Sequence, residues 1–406
     1  MTGVVLAVSA EGEDAIAGAI AAHPHLTLVR RCADLAEALA SASAGVAEVA
    51  VVSPQRHLDR VTLQEFAHMR VRVVGVAADD AEARALAALG IVVVSANDPL
   101  GVADAAATAP ATGTVVAEPE VAPVVHGRMV AVWGPTGAPG RTSVAVNLAT
   151  SLAKDSRVLL VDLDTYGAAV AQTLALANDA PGIAAVARAA AQGEADATTV
   201  RRHALRAADN LSVLTGLPRP GRWSEVPPAA LEAAWPAMRA AADVTVIDCG
   251  FGLSGEQSAA RRDGATLAAL AEADVVVAVG TAEPVGMQRL VDALGDLGEV
   301  VPGIRDRLLV AVNRVRRSVA GPHPERQVAD ALARYAGVGE VWMIPWDPRT
   351  ADLAALRGSS WGEVAPRGAA TVAVGRLADA VAARLAGDDL ADTPVRSSEA
   401  APALTD

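Results

Sequence analysis

Residues 129–154 read MVAVWGPTGAPGRTSVAVNLATSLAK. Met129 to Trp133 is a short apolar run with the character of a buried strand, residues 134–143 are rich in glycine and hydroxyl groups, and Val144, Ala145, Leu148 and Leu152 recur at helical spacing. The order is strand, glycine loop, helix. A loop of this kind cradles phosphate because its backbone N–H groups converge, the helix N-terminus adds partial positive charge, and glycines permit close approach. The general pattern G-x-x-x-x-G-K-[ST] is not met, since its first glycine falls on Pro135 and its lysine on Arg141. What remains is Gly137, Gly140, the cation Arg141, the hydroxyl pair Thr142 and Ser143, and the helix.

Working outward, two further strands stop at acids. RVLLVDLDTYG places Asp162 and Asp164 at the end of one apolar run, and DVTVIDCGFG places Asp248 at the end of another. One such strand is common in α/β proteins, but three elements in this order form a constellation. Of the 34 basic residues only Lys154 is a lysine, so any cation at the loop has to be an arginine.

GAPGRTSVAVNLATSLA resembles the deviant Walker A loop and first helix of the ParA/MinD family, KGGxGKTTxAxNLAxxLA. In that alignment Thr136 replaces the family's signature lysine, Ala138 a glycine and Arg141 the Walker lysine. The likeness continues through ADVVVAVGTAEPVGMQRLVDAL, through LLVAVNRVRR with Asn313 at the position that recognises adenine, and into VWMIPWDPRTADLAALRGSSWGEVAPRG, with Pro345 and Asp347 in the base-proximal loop.

The resemblance implies ATP or ADP with Mg2+ as ligand. Thr142 would ligate the metal, Ser143 would meet an α-phosphate oxygen, Asp248 would hold Mg2+ through water, and Asp162 or Asp164 would orient an attacking water. With both lysines replaced, ATP hydrolysis is expected to be weak or absent. A homodimer is expected, although Thr136 cannot reach a partner's phosphates; Arg261 or Arg262 would have to substitute.

The length, 406 residues, suits two domains. Residues 107–127 mix Pro, Ala, Thr, Gly and Glu without period and read as a linker; residues 388–406 read as a disordered tail. Before the linker, β-branched runs alternate with Ala/Leu helical patterns in five βα units, which predicts a small doubly wound parallel sheet over residues 1–106. That unit resembles a response-regulator receiver domain. Ser53 stands where the phosphoaccepting aspartate should be, and Glu11, Glu13 and Asp14 read as the solvated start of a helix. Residues 128–387 are expected to form the larger, mostly parallel P-loop sheet.

A receiver-like unit ahead of an altered ParA/MinD-like unit is the arrangement of the CpaE/TadZ family. This implies a cytoplasmic localisation factor, recruited to a pole or septum, that places a Flp/Tad pilus machinery or a septum site. Its partners would belong to a secretion, pilus or division apparatus. Two other readings stay open: a protein-binding scaffold whose loop stays empty, and an active DNA-associated partitioning ATPase. For the latter, Arg201, Arg202 and Arg206 on one helix, with Arg314, Arg316 and Arg317, would meet DNA.

Composition narrows these choices. With 52% hydrophobic and 20% charged residues the chain can bury a core. A net charge of −13 weighs against a nucleic-acid coat, and six Trp, two Tyr and two Phe supply few base-stacking platforms. Cys32 and Cys249 lie too far apart in sequence to suggest a disulfide framework, which suits a reducing cytosol. No histidine has metal-ligand spacing, and neither an export signal nor an apolar run of membrane-spanning length is evident.

Overall fold

Parallel strands need crossovers that return the chain to the starting end of the sheet, and a helix between two β-branched runs supplies one. The computed structural model describes residues 1–9, 12–55, 57–108, 127–177, 180–254 and 262–391, with backbone alone at 388–391. The first five strands are β1 (Thr2–Ala7), β2 (Leu26–Arg31), β3 (Val49–Val52), β4 (Arg72–Ala77) and β5 (Val92–Ser95). They pair in the order β2-β1-β3-β4-β5, all parallel, the flavodoxin-like order that reverses between β1 and β3.

Alternation builds this sheet's two cores. Val4 and Leu6 face Ile16, Ile20 and Val102 on one side, while Val5 and Ala7 face Leu35, Phe66 and Leu86 on the other. Three of its helices open on an aspartate whose carboxylate accepts a first-turn N–H: Asp34, Asp59 and Asp79. Each such cap stabilises its helix by about 1 kcal/mol. Glu13 and Asp14 pair with Arg31; Glu11 lies outside the described residues.

The second sheet contains β6 (Arg128–Trp133), β7 (Val158–Leu163), β8 (Leu205–Ala208), β9 (Leu211–Leu214), β10 (Val244–Cys249), β11 (Val275–Thr281), β12 (Leu308–Val315) and β13 (Val341–Pro345). Its order is β13-β12-β11-β6-β10-β7-β9-β8, parallel except where β8 runs against β9 at the edge. Met129, Ala131 and Trp133 face one layer of helices; Val130 and Val132 face the other, which includes the helices Arg141–Leu152 and Ala369–Ala391. Each fully buried Val or Leu contributes about 1.5–3 kcal/mol, so this double-sided burial fixes β6 firmly under the loop that follows it. Val61, on the helix Arg60–His68, packs against the larger sheet's apolar cluster.

Three details differ from expectation or fall beyond it. Arg206 is not on the helix of Arg201 and Arg202: that helix ends at His203, and Arg206 lies in β8, drawn out of helical geometry by pairing with Ser212 of β9. The last helix runs to Ala391, four residues into the stretch read as a tail, because no proline interrupts Asp388 to Ala391 and the first one beyond is Pro394. Most of the proposed linker, residues 109–126, and the tail from 392 onward lie outside the described residues. Among the described residues no helix is long and apolar enough to cross a membrane.

Candidate functional site

The ends of β6, β7 and β10 lie side by side in the sheet, with Asp248 in register with Asp162 on one neighbour and with Val132 on the other. Three segments separated by up to about a hundred residues therefore meet at one edge, as ligand sites do at the carboxyl ends of open parallel sheets. The loop after β6 turns through left-handed backbone at Gly137 (φ 68°) and Gly140 (φ 102°), conformations that side chains disfavour. Gly140 is also the N-cap of Arg141–Leu152 and makes no side-chain cap bond. Thr142 and Ser143 thus lie inside the first turn, and neither hydroxyl is used as the helix cap.

Arg141 folds back along the loop. Its Nη1 donates to the carbonyls of Gly134 and Pro135, both at 3.2 Å, and its Nη2 reaches Asp164 Oδ2 at 3.3 Å. This ion pair is largely buried, with side chains 14% and 8% exposed. The guanidinium also lies 5.9 Å from the centre of the Phe251 ring, and its Nε is buried without a partner. The cation is retained in the loop but held by a carboxylate.

The acids divide into satisfied and unsatisfied groups. Asp162 accepts the N–H of Asp164 (3.3 Å) and of Val170 (3.0 Å), yet burial still pushes its carboxyl up to about 7, with nearby Asp164 adding to the shift. Asp164 accepts from Tyr166 N (2.8 Å) and Gly167 N (3.2 Å) as well as from Arg141. Asp248 is fully buried and neither of its oxygens makes a well-formed hydrogen bond, although the Thr142 hydroxyl is near enough to act on it. Burial, then the charge of Asp162, drives its carboxyl well above the ordinary range, while Thr142 and Arg141 pull in the other direction. A buried acid without a charge partner keeps its proton, and a cation placed beside it would favour releasing that proton. Cys249 beside it is a buried strand-end residue whose thiol burial also pushes up.

The segments after β7 and β10 are tied together. Tyr166 stacks on Phe251 with ring centres 4.4 Å apart, and its hydroxyl donates to Asp263. Arg262 lies 3.9 Å over the Tyr166 ring and donates to Thr165 O at 2.9 Å, while Thr165 Oγ1 donates to Arg262 O at 3.1 Å. Sequence reasoning missed Tyr166, Phe251 and Asp263; the signal available was that two of only four Phe and Tyr residues follow strand-end aspartates. Arg262 is held by these bonds, and Arg261 lies outside the described residues.

The residues expected to hold a base lie at the β12 and β13 ends. Asn313 Nδ2 donates to Pro139 O at 3.2 Å and its Oδ1 accepts from Arg314 N at 2.8 Å, so its amide braces the phosphate loop. Pro345 closes β13, and Asp347 caps the helix Pro348–Arg357 by accepting from Thr350 N and Thr350 Oγ1. Trp346 between them is 41% exposed, with the guanidinium groups of Arg314 and Arg316 at 4.9 and 5.3 Å from its ring.

The residues fit a nucleotide with Mg2+: the glycine-lined turn gives room for phosphate, and Asp248 beside Thr142 offers an unsatisfied oxygen pair to a metal. Fold and site together define a P-loop α/β protein with acids at the ends of the next two strands, β10 and β7, on one side of the loop.

The description CobQ/CobB/MinD/ParA nucleotide binding domain matches residues 130–358, more than half of the chain, and the chain belongs to that family. Among solved structures it is similar to a ParA family ATPase from Chlorobium tepidum (17% identity, TM-score 0.51, covering 62% of this chain and 98% of that one). It is also similar to the cell division ATPase MinD of Pyrococcus furiosus (21%, TM-score 0.50, 63% and 99%). A third is the septum site-determining protein MinD of Pyrococcus horikoshii, solved with Mg-ADP (20%, TM-score 0.50, 66% and 98%). At these identities the likeness is one of fold. No curated protein matches the chain in sequence.

Proposed function

We propose that this chain is a nucleotide-binding localisation factor of the CpaE/TadZ type, in which ATP or ADP with Mg2+ sets a conformational state and hydrolysis is weak or absent. The observation that carries the reading is the Asp248 carboxyl, fully buried beside Thr142 at the foot of a glycine loop and, among the described residues, in no ion pair. A protein that used this sheet only as scaffold would gain stability by replacing that acid with a neutral residue.

Gly137, Gly140 and the first turn of Arg141–Leu152 would receive the phosphates, with Thr142 and Asp248 holding Mg2+ and Ser143 on the α-phosphate side. Bound Mg2+ would supply neutralisation of phosphate charge. Asn313, Pro345 and Asp347 would border the base. The weakness of hydrolysis rests on the altered cations: Thr136 carries no charge, and Arg141 is engaged with Asp164 and with the carbonyls of Gly134 and Pro135. Arg141, bound to Asp164, would have to exchange that carboxylate for phosphate, which would release the segment carrying Tyr166.

The receiver-like reading of residues 1–106 rests on the five-stranded order and on Ser53, which accepts Ser9 N at 2.9 Å where the family has its acid. Docking or dimerisation is its proposed use. The proposed address is the cytoplasmic face of a pole or septum, with partners from a pilus or division apparatus and a homodimer as the working unit.

Binding of a fluorescent ATP analogue with Mg2+ tests the core of this proposal, in the wild type beside Arg141→Ala and Asp248→Ala. Saturable binding lost in both variants supports it; no binding at about 1 mM nucleotide, a free energy near −4 kcal/mol, leaves the scaffold reading. Gel filtration with light scattering, with and without ATP, tests the switch, which identical mass and partner binding would refute.

A further inference from the structure

The loop lacks a cation at Thr136, and the structure brings one back from elsewhere. Arg289 lies on the helix Pro284–Val300, 153 residues away in sequence, and its Nη1 donates to Thr136 O at 3.3 Å. The same nitrogen lies 2.0 Å from where a Cβ on Gly137 would be, so a side chain there would displace the guanidinium from its present place on the loop. Gly137 itself is in left-handed backbone, φ 68°.

Three observations argue that this arginine is placed for an anion. It is exposed and held by one long bond to a neutral carbonyl, which is a poor return for ordering a flexible side chain. Among the described residues it has no carboxylate partner, and the acids nearest on its helix are engaged elsewhere: Glu283 with Arg316 at 2.9 Å and Asp292 with Gln288 at 2.9 Å. Finally, the loop's own cation, Arg141, is committed to Asp164 and to two carbonyls below the crest. A planar guanidinium set against the phosphate loop matches the paired oxygens of a phosphoryl group.

We infer that Arg289 contacts the terminal phosphate of the nucleotide held in its own chain's loop, supplying from the helix Pro284–Val300 the charge that Thr136 lacks. This rests on the nucleotide-binding reading above. Its consequence is selectivity: Arg289 favours ATP over ADP, and it links loop occupancy to the position of that helix.

Isothermal titration of the full chain with Mg-ATP and with Mg-ADP tests it, comparing wild type, Arg289→Ala and, as a control on a distant exposed arginine, Arg326→Ala. The expected result is an ATP affinity lowered on the order of tenfold in Arg289→Ala, with ADP affected less and the melting temperature unchanged, as for loss of one charge-assisted contact. Arg326→Ala should match the wild type. ATP affinity unchanged in Arg289→Ala, or ATP and ADP weakened equally, overturns the inference and leaves nucleotide binding intact. A wild type that binds neither nucleotide overturns the binding reading itself, and this one with it.

Discussion

The two sheets end their central strands in opposite ways. At the reversal point of the five-stranded sheet, Ser53 accepts Ser9 N and Gln55 donates to Ala7 O, so neutral side chains satisfy the backbone. At the corresponding edge of the eight-stranded sheet, Asp162 and Asp248 are buried side by side and Asp248 makes no well-formed hydrogen bond. Both sheets are parallel, doubly covered and shaped to take a ligand at that end. The difference teaches that architecture leaves the choice open: one strand end is closed with satisfied neutral groups, whereas the other keeps buried acids.

Converting one region into the other gives the largest expected effect. Ser53→Asp places an uncompensated carboxylate at a position 4% exposed, and should lower stability by about 3 kcal/mol at neutral pH, with recovery in acid. Thermal melts at two pH values measure it. The reverse change, Asp248→Asn, should lower Mg2+-dependent nucleotide affinity on the order of ten- to a hundredfold while stabilising the nucleotide-free protein by about 1–3 kcal/mol. Calorimetry and melting of one preparation test both halves.

Acidity sharpens the same contrast. The Asp162 carboxyl is raised from 3.8 to about 7, so the folded chain holds a proton that the unfolded chain has released over that interval. Its contribution to stability is therefore complete below about pH 4 and lost as pH rises through about 7. The melting temperature of the nucleotide-free protein should fall across that range. The fall should flatten in Asp162→Asn, which removes the titrating carboxyl itself. The smallest effect is at Tyr166: burial, and then its bond to Asp263, push its phenol up to about 12. With two tyrosines in the chain, one tyrosine's worth of tyrosinate absorbance should emerge near pH 12 and vanish in Tyr166→Phe. That variant should lose about 1 kcal/mol of stability.

What was legible in the sequence is what local strings encode. The βα alternation, the glycine loop and the strand-end aspartates each lie within a window of about ten residues, and register in a parallel sheet carries them to one edge. Arg289 was not legible, because its meeting with Thr136 depends on how a helix after β11 leans over a loop after β6. The same holds for Tyr166 and Asp263, joined across 97 residues. Asp347 shows the converse limit: the motif marks its place after β13, but its carboxylate is spent on capping a helix. Arg206 misled because an Arg-rich run has helical character until an edge strand claims it.

The aromatic contact between Tyr166 and Phe251 carries one more consequence. Two loops that could each fluctuate alone are joined by a ring stack, a guanidinium lid and reciprocal backbone bonds, so their ordering entropy is spent once and shared. A partner gripping the segment after β10 would therefore feel what is bound beside β7 without touching it. In a chain that spends aromatic rings so sparingly, these two join the segments after β7 and β10 into one packed unit.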